Sequence, residues 1–405
     1  MAMTDRQKLQ RNISRALYLR FFQAFMVLVP IAVPFFQSKG LTMRDVFTLQ
    51  ALFAGVVLLA EVPSGYMADL FGRRRVLLVG ALFCGLGHSL LLIAEGFWTL
   101  AFYELLLGIS FSLTSGSDLA LLYDSELALG ASAERQRRVV GKIYSLGTLS
   151  AALSGAVCSL ILLGGSFVDV IWVQVIVGWM PFVVALGLIE APRQSLDRKA
   201  SHSREMKRIL RYLWSHSLLL RRVFVTACIW PLTTFYAVWL LQEVWRLQHI
   251  PLYLFGWIWG GLTLLTALSG RYATVLEKHC GPRALLLCIG VLPIVGYLGL
   301  AVAGPLVGIA VAALFFVARG LGQVLLADAL NHRIPSQFRA TANSLVSFGF
   351  RACFAVTGPL VGYGLDRLGM DVILGLLAVL SALIVLVCLL PLLFNVPSRK
   401  AFRRG

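Results

Sequence analysis

Apolar stretches recur twelve times along this chain, at about residues 17–36, 46–67, 76–95, 98–122, 141–163, 171–191, 219–243, 252–277, 284–302, 305–327, 341–365 and 371–395. A helix rises about 1.5 Å per residue, so each stretch is long enough to cross the roughly 30 Å hydrocarbon core of a bilayer. A backbone inside lipid must satisfy its own hydrogen bonds, and apolar runs of this length do so as helices. With 59% hydrophobic and only 14% charged residues, the chain is too apolar for a soluble globule. The expectation is an all-α integral membrane protein with about 12 transmembrane helices.

The placement of charge fixes an orientation. If the N-terminus is cytoplasmic, all but six of the 36 Lys and Arg fall in cytoplasmic segments; Lys39, Arg44, Arg246 and Arg367 lie on the far side, and Arg319 and Arg351 lie within spans. That asymmetry follows the positive-inside rule and places both termini in the cytoplasm. The net charge of +17 is then a property of topology and of contact with membrane lipids, and calls for no nucleic-acid partner. The first apolar run has no small-residue cleavage site behind it, so it is expected to remain as a span. The seven cysteines are scattered without metal-like spacing and read as packing residues.

Composition turns basic and polar between Arg193 and Arg222. This divides the chain into an N-terminal six-helix half over residues 1–192, a basic cytoplasmic linker over 193–216, and a C-terminal six-helix half over 217–405. Residues 206–213 are expected to form a short surface helix with Leu210, Leu213 and Trp214 toward lipid.

Between spans two and three runs Gly65-Tyr66-Met67-Ala68-Asp69-Leu70-Phe71-Gly72-Arg73-Arg74-Arg75. Gly65 lacks a side chain where helices can approach closely, and Gly72 permits the backbone angles of a tight turn. The run resembles the signature turn of the major facilitator superfamily, with Met67 and Leu70 departing from its pattern. The resemblance implies two pseudo-symmetric six-helix bundles, a substrate cavity near the midplane and rocking between two access states. It also implies a cytoplasmic gate in which Asp69, Arg73 and Arg74 meet a span-four acid, Asp118 or Asp124. Ser145-Leu146-Gly147 is echoed by Ser347-Phe348-Gly349, and the turn at 65–75 by Gly270-Arg271 and Gly281-Pro282-Arg283, as expected of a duplicated chain. The span-five glycine-proline motif of family antiporters has no proline here, in Ser154-Gly155-Ala156-Val157-Cys158.

Charge inside a bilayer persists only where it is paired, hydrated or facing a cavity. Within the spans the costly polar residues are Glu61, His88, Glu104, Asp118, Arg319, Asp328 and Arg351. Arg351 and Arg319 are candidate substrate ligands, able to grip an anionic group, or alternatively permanent partners of a helix carboxylate. Glu104 is the candidate for proton coupling, with His88 and Glu61 as lesser ones. Phe235, Tyr236 and Trp239 offer an apolar wall for an amphipathic substrate, and Gln23, near Pro30 and Pro34, a cavity-lining position. Trp245 and Tyr253 fit an interfacial aromatic belt.

There is no phosphate-binding glycine-lysine loop, no paired-histidine metal motif and no Gly-x-Ser-x-Gly turn, so an enzyme is not expected, nor is a cofactor. The expected function is an ion-gradient-driven secondary transporter working by alternating access, with protons as coupling ion, most simply efflux of an amphipathic small molecule or metabolite. The alternatives are transport of an organic anion such as a carboxylate metabolite or siderophore, and a non-transporting receptor. A monomer in a bacterial inner membrane is the expected setting.

Overall fold

The computed structural model describes residues 5–192, 202–335 and 338–395. Among the described residues all regular structure is helical. The helices are α1 (Asp5–Ala24), α2 (Ala32–Ser38), α3 (Met43–Phe71), α4 (Arg73–Leu90), α5 (Gly96–Thr114), α6 (Ser117–Ala128), α7 (Ala133–Leu162) and α8 (Phe167–Leu186). There follow α9 (His202–Ser215), α10 (Leu218–Ile229), α11 (Leu232–Leu247), α12 (Leu252–Cys280), α13 (Pro282–Val302), α14 (Pro305–Asn331), α15 (Arg339–Leu368), α16 (Met370–Ile384) and α17 (Leu390–Leu393). Among the described residues, twelve segments are long and apolar enough to cross a membrane. The first joins α1 to α2, the fourth α5 to α6, and the seventh α10 to α11.

Contacts divide the described chain into two units, one holding residues up to 192 together with 251–260, the other holding 202–250 and 261–395. In the first unit α4 packs against α5 and α8, and α3 against α5. Small residues allow these approaches: a Cβ on Gly85 would lie 2.5 Å from the Trp179 ring, and one on Gly178 would lie 2.6 Å from Nδ1 of His88. The first span is interrupted after Ala24, ahead of Pro30, and the backbone N–H of Leu28 donates to Oε1 of buried Gln174 on α8 at 3.1 Å. That amide supplies a partner which the broken helix no longer provides.

In the second unit α13 packs on α14 and α16, and α10 on α15. The two units share a construction. Helices α3 and α12 each run 29 residues and stop at a glycine with positive φ, Gly72 at φ 98 and ψ 145 and Gly281 at φ 89 and ψ 152. Only glycine enters this region of backbone space without strain, so it allows each helix to turn directly into the next. Helices α7 and α15 likewise both contain 30 residues.

Of the linker over 193–216, residues 193–201 lie outside the described residues, and 202–215 form α9. Two expectations are corrected here. Leu213 does not face lipid: it is fully buried with Ile209 against Leu220, Val223 and Phe338, while Leu210 and Trp214 are exposed. Trp245 belongs to no interfacial belt, because its ring is fully buried.

Candidate functional site

Polar side chains inside the first unit gather on α3, α4 and α5. Glu104 is 4% exposed, and its Oε1 accepts from Nε2 of Gln50 on α3 at 2.8 Å. No cation stands within ion-pair distance of Glu104 among the described residues. A carboxyl with an amide partner can exist with or without its proton, because the amide offers both a donor and an acceptor. The preceding residue, Tyr103, meets His88 of α4 edge to face, with ring centroids 5.9 Å apart. Nδ1 of His88 lies 2.8 Å from the carbonyl oxygen of Cys84, while its Nε2 is buried with no partner among the described residues. Glu104 and His88 therefore flank one tyrosine without bonding to each other. Glu61 stands apart from them: it follows Gln50 by eleven residues on α3, roughly 16 Å along the axis. Half-buried Gln23, next to last in α1, has its Nε2 buried with no partner among the described residues.

The charged turn is built around Gly72. Its left-handed backbone brings the first two N–H groups of α4 against Glu190, which accepts from Arg73 N and Arg74 N at 2.9 Å each. A carboxylate here satisfies open helix donors and meets the positive end of the helix dipole. Nε of Arg74 adds a bond to the carbonyl of Leu188 at 2.6 Å. The guanidinium of Arg73 pairs with Asp124 and also donates to the carbonyl of Ala120. The expected contact of Arg73 with a span-four acid is present, through Asp124.

Asp118 departs from that expectation. It is buried and faces Arg20 of α1, with Nη1 to Oδ2 at 3.8 Å, so it does not join Arg73. The close-approach reading of Gly65 is corrected too: a Cβ there would meet no heavy atom within 4 Å. Asp69 is half-buried near the end of α3. Sequence reasoning missed Glu190, Arg20 and Asn12. The Asn12 amide donates to Ile189 O at 2.8 Å and accepts from Ile189 N at 2.9 Å, which ties α1 to the segment carrying Glu190. The available signal for Glu190 was an acid at the very end of the sixth apolar run.

In the second unit Arg319 of α14 reaches α11. Its Nη2 donates to the carbonyl of Thr234 at 2.5 Å and its Nε to the hydroxyl of Thr234 at 3.4 Å. The guanidinium carbon lies 5.9 Å from the ring centre of Phe235 and 5.6 Å from that of Phe316. Among the described residues no carboxylate pairs with Arg319. Aromatic rings continue outward from it: Phe235 stands edge-on to Phe350 at 5.2 Å and to Phe354 at 4.7 Å. Tyr236 shares a 2.6 Å hydrogen bond with Thr357 of α15. One turn along α11, Trp239 is 9% exposed, and its indole Nε1 has no hydrogen-bond partner among the described residues. Half-buried Arg351 directly follows Phe350, and its Nε donates to Ser347 at 3.4 Å. Asp328 lies outside this group, exposed and 3.1 Å from His332.

These features are a glycine-turned charged loop, interrupted spans and, among the described residues, twelve candidate spans in two units. Over residues 16–332 the chain matches the family model of the Major Facilitator Superfamily. The chain belongs to the Major Facilitator Superfamily. It is therefore a multi-pass integral membrane protein and a secondary transporter rather than an enzyme.

Solved structures of other superfamily transporters share its fold. A variant of nucleoside transporter NupG superposes with a TM-score of 0.77 at 12% identity, covering 94% of this chain and 98% of that one. A bacterial homolog of the human lysosomal transporter Spinster, inward-facing and unoccupied, gives 0.73 at 13% identity over 100% and 99%. A POT family transporter in complex with a thioalcohol-conjugated peptide gives 0.66 at 15% identity over 96% of each chain. At these identities the likeness shows the fold alone. No curated protein sequence matches the chain.

Proposed function

We propose that this superfamily member is a proton-coupled transporter of a small amphipathic organic anion, working by alternating access. Arg319 carries this reading. A guanidinium within the membrane-spanning part of a unit, held by Thr234 and two phenyl rings and paired with no carboxylate among the described residues, keeps its charge available for a ligand's anionic group. The half-buried rings of Phe235 and Phe350, backed by buried Phe354, supply an apolar surface beside it for the ligand's body.

Proton coupling rests on Glu104. Its buried carboxyl meets the Gln50 amide instead of a cation, an arrangement compatible with loading and unloading a proton as access alternates. The basic segments would face the cytoplasm, the side to which the positive-inside rule assigns them.

The test is reconstitution into vesicles with a trapped pH dye, adding organic anions and lipophilic cations in turn. Anion-induced proton movement that disappears in Arg319→Gln supports the reading. Movement with lipophilic cations alone would replace it with drug-type efflux.

A further inference from the structure

A second feature lies wholly in the first unit and is independent of the transport reading. Between α1 and α7 runs a groove of about 450 Å³, lined by Leu17 from α1 and by Arg138, Lys142, Ser145, Leu146 and Leu149 from α7. Its polar and apolar parts are separated along the helix. All the charged residues of α7 fall between Glu134 and Lys142, and the 20 residues from Ile143 to Leu162 carry none. Twenty residues span about 30 Å, the thickness of the hydrocarbon core, so Lys142 stands where core gives way to headgroups.

The charges near this boundary are unequally engaged. Arg135 is taken up by buried Glu126, with Nε to Oε2 at 2.9 Å. Among the described residues Arg138 pairs only with Glu134, at 2.9 Å; those side chains are 68% and 82% exposed, and a pair so solvated neutralises little. Lys142 is exposed and has no ion-pair partner among the described residues, and Ser145 is exposed beside it. Below them the same stripe continues through Leu149, Leu153 and Leu160, which are 48%, 43% and 56% exposed. These leucines recur at helical spacing, so the apolar column extends beyond the groove for roughly 16 Å from Leu149.

The geometry points to a binding site for an anionic phospholipid, its phosphate on Arg138, Lys142 and the Ser145 hydroxyl and an acyl chain along Leu146, Leu149 and Leu153. A compact soluble anion would use the cations and leave the column empty. A lipid uses both, and the depth of Lys142 matches that of its phosphate.

Native mass spectrometry of the purified full chain, titrated with phosphatidylglycerol or with phosphatidylcholine of the same acyl chains, tests this. One phosphatidylglycerol should be retained in preference to phosphatidylcholine. Arg138→Gln with Lys142→Gln should weaken it about thirty-fold, and Lys142→Gln alone about five-fold, with thermal unfolding unchanged. Leu149→Gln should weaken both lipids. Equal retention of the two lipids, or unchanged phosphatidylglycerol binding in the double variant, would overturn the site. Displacement of the lipid by millimolar benzoate would also overturn it, assigning the groove to a soluble anion.

Discussion

Gln50 donates from its side-chain amide to the carboxyl of Glu104 across 2.8 Å, joining α3 to α5 inside the first unit. Glu104→Gln keeps a group of the same shape at that position and removes the proton. The expected outcome is a folded protein that binds substrate but moves no protons, read with the trapped pH dye. Loss of folded protein from the membrane would assign Glu104 to structure instead.

Gln50→Leu removes the partner and leaves the carboxyl buried alone. Stability should fall by about 1–3 kcal/mol, the cost of an unsatisfied buried polar group. Thermal unfolding in detergent reads this, and an unchanged midpoint would mean that water replaces the amide.

Glu190→Ala uncovers the N–H groups of Arg73 and Arg74 together. A loss of about 1–2 kcal/mol is expected from the missing cap and dipole contact. Amide hydrogen exchange should accelerate at the start of α4 and stay unchanged in α13.

The two glycines of the charged turn should separate cleanly. Gly72→Ala forces a side chain into φ 98 and brings its Cβ to 2.9 Å from Oε2 of Glu190, a cost of about 1–3 kcal/mol. Gly65→Ala meets open space and should lie within about 0.5 kcal/mol of the parent. Melting curves of the two variants decide.

Arg319→Lys keeps a positive charge and loses the planar fork that spans Thr234 and the phenyl rings. Anion affinity should drop about tenfold or more, measured by equilibrium binding in detergent. Full affinity in the lysine variant would reduce the role of Arg319 to charge alone.

Much of this molecule was legible because lipid imposes its rules on single residues. Span length and apolarity located twelve crossings, and the angles at Gly72 followed from a glycine placed between two spans. Arg73 and Asp124 were readable as partners because opposite charges at the ends of spans have few other recourses. The failures share one cause, which is that a helix shows its direction only after it is packed. Leu213 and Trp245 looked suited to an interface and turned inward, where neighbouring helices offered apolar surface. The sequence pattern offered Asp118 the arginines of the charged turn, and the position of α1 gave it Arg20 instead. Gln50 and Gln174 carry no charge, so the search for costly residues passed over both, although each satisfies a group that would otherwise stand unbonded in the span.

The matched turns at Gly72 and Gly281 share a backbone and differ in what secures it. At the first, a carboxylate from a distant segment grips two amide hydrogens. At the second, Pro282 occupies the opening position of α13, has no hydrogen to offer there and arrives with its φ already fixed. One turn is held by electrostatics, which salt screens; the other is held by covalent stiffness, which salt does not touch. A duplicated chain has thereby come to own one joint that answers to its surroundings and one that does not.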